Sequence, residues 1–198
     1  MPQHRKAPCT KRLTDFSTVE HLYQTKMKND FGRDELKPLS SIRRSWNKDI
    51  YECYGLFDGE KILGYAFFLR QNHSYLLDYY AVDEQHRDEG LGTLFLQQLA
   101  EQMKDADMVL CEVEDPDYAE DEQSRMERQR RLAFYLRSGY RDTAVRALLF
   151  GVRYQILEGP GADIHSAEEI QEVYTAMYRS VLPWLIFRMN LHVQIRNT

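Results

Sequence analysis

Apolar residues recur with helical spacing in the first part of the chain. Within residues 17–31 they occupy positions that share one face of a helix, namely Val19, Leu22, Tyr23 and Met27. This spacing predicts a first helix with Ser17 or Thr18 as its N-cap. A second, weaker helix is predicted over residues 38–46.

Strand-like runs of apolar residues follow these helices. Two of them meet around Asp58 and Gly59, and they predict a hairpin because this dipeptide readily adopts the positive φ angles of a tight turn. Further strands are predicted over residues 74–82, over residues 107–114 and, as a pair, within residues 143–157.

Three more helices are indicated by spacing and capping residues. One begins near Gly90, and an arginine-rich helix ends at Gly139 as its C-cap. The last helix opens with a capping box of Ser166 and Glu169, and Pro183 predicts a kink in it.

The order of these elements predicts the α/β (α+β) class, with a single mixed, mostly antiparallel sheet flanked by helices. At 198 residues the chain fits one domain over residues 1–198. Residues 160–198 are predicted to form an extra C-terminal helical extension that packs on the sheet.

Composition and charge narrow the possible partners. The net charge of -5 disfavours a nucleic acid, because the field of the protein would repel a phosphate backbone. The three cysteines lie far apart without C-x-x-C spacing, which argues against disulfides and zinc and favours a reducing cytoplasm. No membrane partner is expected, since no apolar run is long enough to cross a bilayer. The histidines show no metal-ligand spacing, so no metal is assigned.

Two glycines punctuate the segment between the strand that ends at Val82 and the next helix. The segment, with the pattern R-x-x-G-x-G, consists of Arg87, Asp88, Glu89, Gly90, Leu91, Gly92 and Thr93. Unpaired N–H groups at a helix N-terminus bind anions, and glycines let a phosphate approach the backbone closely. Because the Walker and G-x-G-x-x-G patterns are absent, nucleoside triphosphates and dinucleotides are disfavoured.

This segment resembles the pyrophosphate loop of the GCN5-related N-acetyltransferases, the GNAT superfamily. A second motif, "FYLRSGY" at residues 134–140, resembles the family's late helix, where an aromatic–Tyr pair is followed by Gly and an aromatic residue. Both motifs occur in the family's order, separated by one strand. The resemblance covers roughly residues 50–150, about half of the chain.

The resemblance implies acetyl-CoA as the co-substrate. Tyr80, Ala81 and Val82 match the strand whose backbone pairs with the pantetheine arm, and residues 87–93 match the pyrophosphate loop. Backbone N–H groups near Val82 would polarise the thioester carbonyl. Tyr135 matches the family's general acid, and a phenol of pKa about 10 suits protonation of a thiolate whose pKa is about 8.5.

A base is also needed, because neutralising a lysine-like amine at pH 7 costs roughly 4 to 5 kcal/mol. Two strand carboxylates are candidates. Glu112 resembles the glutamate of family members that acetylate protein N-termini, and Asp78 shares a strand face with Val82. The alternatives are an ordered water as base, a solvated strand edge for Glu112 and an ion pair for Asp78.

Several charged residues depart from the family's pattern. Asp88 and Glu89 must point away from a bound pyrophosphate, because a carboxylate aimed at it would be repelled by about 4 kcal/mol. Arg128 or Arg131 either contacts the cofactor or pairs with the acidic segment over residues 115–122. That segment either attracts a cationic acceptor or is a solvated loop.

The sequence therefore predicts a cytoplasmic N-acetyltransferase that moves acetyl from acetyl-CoA directly to a primary amine of a small molecule or peptide. A covalent intermediate on Cys111 is disfavoured, since no histidine is evidently placed to activate its thiol. The alternatives are a non-catalytic acyl-CoA-binding or protein-interaction module with this fold, and an enzyme acting on aminoacyl-tRNA. The adjacent apolar residues Trp184, Leu185 and Phe187 leave a homodimer open.

Overall fold

The computed structural model describes residues 7–32, 35–86, 90–161 and 163–196. Its contacts divide the chain into two compact units, Met1–Arg70 with Asp78–Leu99 and Gln71–Leu77 with Ala100–Thr198. Strand β4 (Ser74–Val82) contributes its first residues to the second unit and its last residues to the first. The single domain expected over residues 1–198 stays a prediction.

The first unit contains the amino-terminal helices and strands. They are β1 (Cys9–Arg12), α1 (Phe16–Leu22), a π-helix (Tyr23–Met27), α2 (Lys28–Asp30), α3 (Leu39–Asn47), β2 (Tyr51–Asp58), nearly all of β3 (Lys61–Gln71), a 3-10 helix (Glu84–His86) and most of α4 (Leu91–Gln102). Asp58 pairs with Lys61 across the predicted hairpin turn, where Gly59 has a φ of 62°. The predicted N-cap of α1 was wrong, because Asp15 caps the helix and accepts the N–H of Ser17 at 3.0 Å.

The second unit contains the later strands and helices. They are β5 (Met108–Glu114), a 3-10 helix (Pro116–Tyr118), α5 (Glu122–Arg137), β6 (Arg141–Leu149), β7 (Val152–Glu158), α6 (Ala167–Val181), α7 (Trp184–Asn190) and β8 (Leu191–Ile195). The capping box of Ser166 and Glu169 at the start of α6 is confirmed.

The eight strands follow the order β1-β2-β3-β4-β5-β7-β6-β8. Strands β4 and β5 pair in parallel, whereas the pairs β1–β2, β2–β3, β5–β7, β6–β7 and β6–β8 are antiparallel. The predicted mixed, mostly antiparallel sheet with flanking helices is therefore confirmed.

The C-terminal extension differs from the single kinked helix that was predicted. Pro183, with a φ of -55°, is the N-cap of a separate helix α7, so α6 ends at Val181. The chain then returns as β8, whose apolar residues Leu191, Val193 and Ile195 alternate with polar ones. That alternation is typical of a half-buried strand, and β8 pairs with β6. The extension is therefore helical only in part.

The core of each unit is formed by side chains that are almost fully buried. In the first unit these include Val19, Leu22, Met27, Leu56, Phe67 and Phe95, and in the second unit Leu110, Val113, Val145, Ile156, Ile170 and Met177. Helix α6 contacts β6 and β8, which confirms that the C-terminal helix packs on the sheet. Trp184 and Leu185 of α7 remain 65% and 60% exposed, and a homodimer through them stays a prediction. No helix in the described ranges has the length and apolar character needed to span a membrane.

Candidate active site

The end of β4 lies against a glycine of the neighbouring strand. A Cβ atom on Gly64 would come within 2.9 Å of the Ala81 carbonyl oxygen and 3.1 Å of a Val82 methyl group. Such distances are too short for a side chain, so glycine permits a close backbone approach here. The position of Ala81 and Val82, the residues predicted to meet the pantetheine arm, therefore depends on Gly64.

Tyr80 connects this strand to the helix that follows it. Its hydroxyl group donates to the carbonyl oxygen of Gly92 at 2.6 Å, and its ring stacks on Phe95 with 5.5 Å between centroids. The first turn of α4 is thereby fixed to the last residues of β4. The sequence did not reveal this role for the Tyr80 side chain.

The backbone at Gly90, between β4 and α4, has open space around it. Gly90 has a φ of 78°, and a Cβ atom built on it would meet no atom within 4 Å. Leu91, Gly92 and Thr93 occupy the first turn of α4, where backbone N–H groups lack partners within the helix. Binding of a pyrophosphate by this half of the predicted loop stays a prediction. Residues 87–89 of the same prediction, Arg87, Asp88 and Glu89, lie outside the described residues.

Asp78 forms a buried ion pair. The Nζ atom of Lys37 lies 2.6 and 2.7 Å from its two carboxylate oxygens, and the Tyr51 hydroxyl group donates to Oδ2. The Asp78 side chain is only 6% exposed. The backbone of Lys37 is held as well, because its N–H donates to the Tyr79 hydroxyl at 2.8 Å and its carbonyl accepts from Tyr23 at 3.1 Å. Asp78 thus anchors the segment before α3, which is the ion-pair alternative that the sequence left open.

Glu112 on β5 is held by two tyrosines that sequence reasoning missed as site residues. Tyr174 and Tyr178 of α6 both donate to its Oε1 atom, at 2.5 and 2.7 Å. Burial, together with the charge of Glu112, raises the pKa of Tyr174 well above its ordinary value, so this phenol stays a donor at neutral pH. The sequence gave no sign that the Tyr174 hydroxyl group meets a carboxylate 62 positions away.

Tyr135 is positioned by the way in which α5 ends. Gly139 has a φ of 94° and donates its N–H to Leu136 at 3.2 Å, while the N–H of Tyr140 donates to the carbonyl oxygen of Tyr135 at 3.1 Å. This pair of bonds is a Schellman motif, and it brings the rings of Tyr135 and Tyr140 to 5.3 Å. The glycine and aromatic residue of the sequence motif therefore fix the tyrosine that precedes them.

Glu112 and Tyr135 lie on opposite sides of β5. Cys111, the residue before Glu112, is hydrogen-bonded to Tyr135 of α5, whereas Glu112 contacts α6. Neighbouring residues of a strand point to opposite faces, which explains the arrangement. Burial raises the pKa of the Cys111 thiol, against the effect of the bond from Tyr135, so the thiolate needed for a covalent mechanism is disfavoured.

The charged residues around α5 are paired with one another. Arg128 and Arg131 lie 3.2 and 3.6 Å from Glu114, and Arg128 also donates to the Asp115 carbonyl at 3.2 Å. Asp115 and Asp121 are the N-caps of the second 3-10 helix and of α5. The two arginines thus pair with Glu114 of β5, and Arg128 also binds the backbone of Asp115 at the start of the acidic segment. A cofactor contact through either arginine stays a prediction.

In the part of the chain that the structure describes, no group of three or more His, Cys, Asp and Glu side chains is placed to hold a metal ion. That the reaction needs no metal stays a prediction.

Comparisons with solved structures show where this fold occurs. A protein from Bacteroides thetaiotaomicron, described as a GNAT acetyltransferase, aligns with a TM-score of 0.66 at 18% identity, over 85% of this chain and 95% of its own. An acetyltransferase from Bacillus subtilis, solved in complex with CoA, aligns with a TM-score of 0.51 at 15% identity, over 77% and 97%. The ribosomal-protein-S18-alanine N-acetyltransferase from Escherichia coli gives a TM-score of 0.54 at 16% identity, over 80% and 99%. These likenesses show a shared fold.

Sequence comparison identifies the family. No curated protein matches the chain in sequence. A family model described as acetyltransferase (GNAT) family matches residues 16–140, which is more than half of the chain and includes both motifs. The chain therefore belongs to the acetyltransferase (GNAT) family, a class of acyltransferases.

Proposed function

We propose that this protein is an N-acetyltransferase that moves the acetyl group of acetyl-CoA directly to a primary amine. The observation that carries the proposal is the placement of Glu112 and Tyr135 on opposite sides of β5, each held in a fixed orientation. A carboxylate can take a proton from the acceptor and a phenol can give one to the leaving thiolate, which are the two roles that the reaction needs.

The proposed base is Glu112 rather than Asp78. Both carboxylate oxygens of Asp78 are engaged by the Lys37 ammonium group, at 2.6 and 2.7 Å, so Asp78 is tied to a structural ion pair. Glu112 is instead oriented by hydrogen bonds from the hydroxyl groups of Tyr174 and Tyr178, which are not ion pairs.

The reaction then proceeds in three steps. Glu112 takes a proton from the ammonium form of the acceptor, and the neutral amine attacks the thioester carbonyl carbon. The C–S bond breaks as the tetrahedral intermediate collapses, and the coenzyme A thiolate takes the proton of the Tyr135 hydroxyl group. The attacking nitrogen loses its second proton as the amide forms, which restores the Tyr135 phenol through water, and Glu112 releases its proton to solvent. The backbone N–H groups near Val82 would stabilise the oxyanion, and those from Gly90 to Thr93 would bind the pyrophosphate.

The proposed acceptor is a cationic amine on a small molecule or a peptide. The net charge of -5 would attract such an acceptor. The S18-alanine N-acetyltransferase of E. coli, which has this fold, supports a peptide amine as one possibility. A reducing cytoplasm is the proposed location, in keeping with three free cysteines.

Two measurements test this function. Calorimetry should detect saturable binding of acetyl-CoA and of coenzyme A, and coenzyme A release should depend on an amine from a panel of polyamines, amino acids and alanine-terminated peptides. Binding without release for any amine would identify the non-catalytic alternative. Absence of binding at millimolar ligand would overturn both functions.

A further inference from the structure

Helix α6 lies beyond residues 16–140, the part of the chain that the family model matches. Its residues Tyr174 and Tyr178 nevertheless contact the proposed base. We propose that these two tyrosines are positioning residues for acetyl transfer, which hold the carboxylate of Glu112 in the orientation in which it receives the proton of the acceptor. This inference rests on the proposed function.

Both hydrogen bonds meet the same oxygen atom of Glu112. A carboxylate oxygen carries two lone pairs, and Oε1 of Glu112 accepts one hydroxyl group at 2.5 Å and another at 2.7 Å. Two contacts to one oxygen atom restrict the rotation of the carboxylate group.

The two phenols also restrain each other. Tyr174 and Tyr178 are separated by four residues, so they share one face of α6, and their rings meet edge to face with 5.2 Å between centroids. Their exposed fractions are 0% and 2%. Neither ring can rotate away from Glu112 without opening the core of the second unit.

Helix α6 is itself fixed at its start and along its buried face. The Ser166 side chain accepts the N–H of Glu169 at 3.2 Å, and Glu169 accepts the N–H of Ser166 at 2.8 Å. Ile170 and Met177 are 0% exposed on the helix face that carries the tyrosines. The carboxylate is thus oriented by a rigid element, which matters because a base displaced by about 1 Å can lose roughly a hundredfold in rate.

The strand partner of Glu112 across β5 and β7 is Ile156, which is fully buried. The neighbouring Cys111 points to the other face, where burial raises the pKa of its thiol. The hydrogen bonds from Tyr174 and Tyr178 favour the ionised form of the Glu112 carboxylate, because each phenol donates to it.

The test compares Tyr174→Phe, Tyr178→Phe and the double variant with the wild type. Each single change is expected to lower kcat about tenfold, the double change is expected to lower it further, and KM for acetyl-CoA is expected to stay constant. The acid limb of the pH profile of kcat should move to higher pH, because the ionised carboxylate loses a donor. A purely structural role would not move this limb.

Tyr54→Phe is the matched control. It removes a buried hydrogen bond of 2.9 Å from a tyrosine to Glu52 in the first unit, so it makes the same chemical change away from β5. Wild-type kcat and an unchanged pH profile are expected for this variant. Circular dichroism and the melting temperature establish whether each variant folds, and the single variants carry the test should the double variant not fold.

The outcomes separate this inference from the function on which it rests. If folded Tyr174→Phe and Tyr178→Phe keep the wild-type kcat and pH profile while Glu112→Gln loses turnover, the positioning role is wrong and the function stands. If Glu112→Gln keeps full turnover, or the wild type acetylates no amine, the proposed function fails first.

Discussion

The rings of Tyr135 and Tyr140 meet edge to face, with 5.3 Å between their centroids and an angle of 69° between their planes. The backbone turn at Gly139 imposes this contact, and Tyr135 is only 6% exposed. A proton donor on a ring that is already fixed needs little reorganisation during the reaction.

Tyr135→Phe is therefore expected to remove the donor while keeping the ring contact. We expect kcat to fall by about 10² to 10⁴, with unchanged binding of acetyl-CoA, since general acid catalysis contributes a factor of that size. Stopped-flow coenzyme A release and calorimetry measure the two quantities. Tyr118→Phe, at a tyrosine that is 55% exposed, serves as the control, and wild-type turnover in Tyr135→Phe would exclude the acid role.

Asp78→Asn tests the ion-pair assignment. Because the buried carboxylate loses its charge opposite a partly exposed Lys37, we expect the free energy of unfolding to fall by about 1 to 3 kcal/mol, while kcat stays within a few fold of the wild type. Urea denaturation and coenzyme A release are the measurements. Adding Lys37→Met should recover part of the stability, and a folded Asp78→Asn protein without turnover would make Asp78 the base.

Gly64→Ala tests the support beneath the end of β4. The new methyl group would meet the Ala81 carbonyl at 2.9 Å, so we expect the free energy of unfolding to fall by about 1 to 3 kcal/mol and coenzyme A to bind more weakly. Gly32→Ala is the control, because its methyl group would come no closer than 3.8 Å to a neighbour. Unchanged stability and affinity in Gly64→Ala would show that β4 needs no such approach.

High pH should destabilise the protein through its buried tyrosines. Burial is the main cause that raises the pKa of four of them, Tyr51, Tyr65, Tyr140 and Tyr174. In the unfolded chain tyrosines ionise at about pH 10, so the unfolded state releases protons first. The free energy of unfolding therefore falls as the pH rises above that value. Denaturation at a series of alkaline pH values and tyrosinate absorbance will test this. Full ionisation of all tyrosines in the folded protein near their ordinary pKa would contradict it.

Most helices and strands of this fold could be predicted from the sequence, because local signals agree there. Apolar spacing, the Asp58–Gly59 turn and the capping box at Ser166 each depend on residues close together in the chain. Strand β1 has only four residues with little apolar character, so it shows no such signal. Strand β8 does alternate, but Pro183 two elements earlier was interpreted as a kink rather than as the end of α6.

Less of the candidate site could be predicted from the sequence. Local motifs indicated the segment of Gly90 and Gly92 and also Tyr135, because each motif consists of a few successive residues. The hydrogen bonds to Glu112 come from tyrosines 62 and 66 positions away, and Asp78 pairs with Lys37, 41 positions away. Contacts of that kind follow from tertiary packing, and one sequence contains no direct record of them.

Phe150→Asn should stabilise the hairpin between β6 and β7. Phe150 and Gly151 have φ angles of 47° and 85°, the pattern of a type I′ turn, and the Phe150 side chain is 54% exposed. Asparagine tolerates the left-handed region better, so we expect a gain of about 0.5 to 1 kcal/mol. Chemical denaturation measures the gain. Phe150→Ala, which removes the ring and keeps the strain, should show none, and equal gains in both variants would attribute the effect to the ring.

Strand β8 covers one side of β6 from Val145 to Leu149, where its five residues complete the hydrogen bonding of a much longer strand. A chain shortened before Leu191 would leave a row of unpaired amide and carbonyl groups along β6, and such a row is a template for strands of other molecules. The five residues of β8 thus replace the edge of a nine-residue strand with a shorter one, which we expect to lower the tendency of the sheet to pair with other molecules.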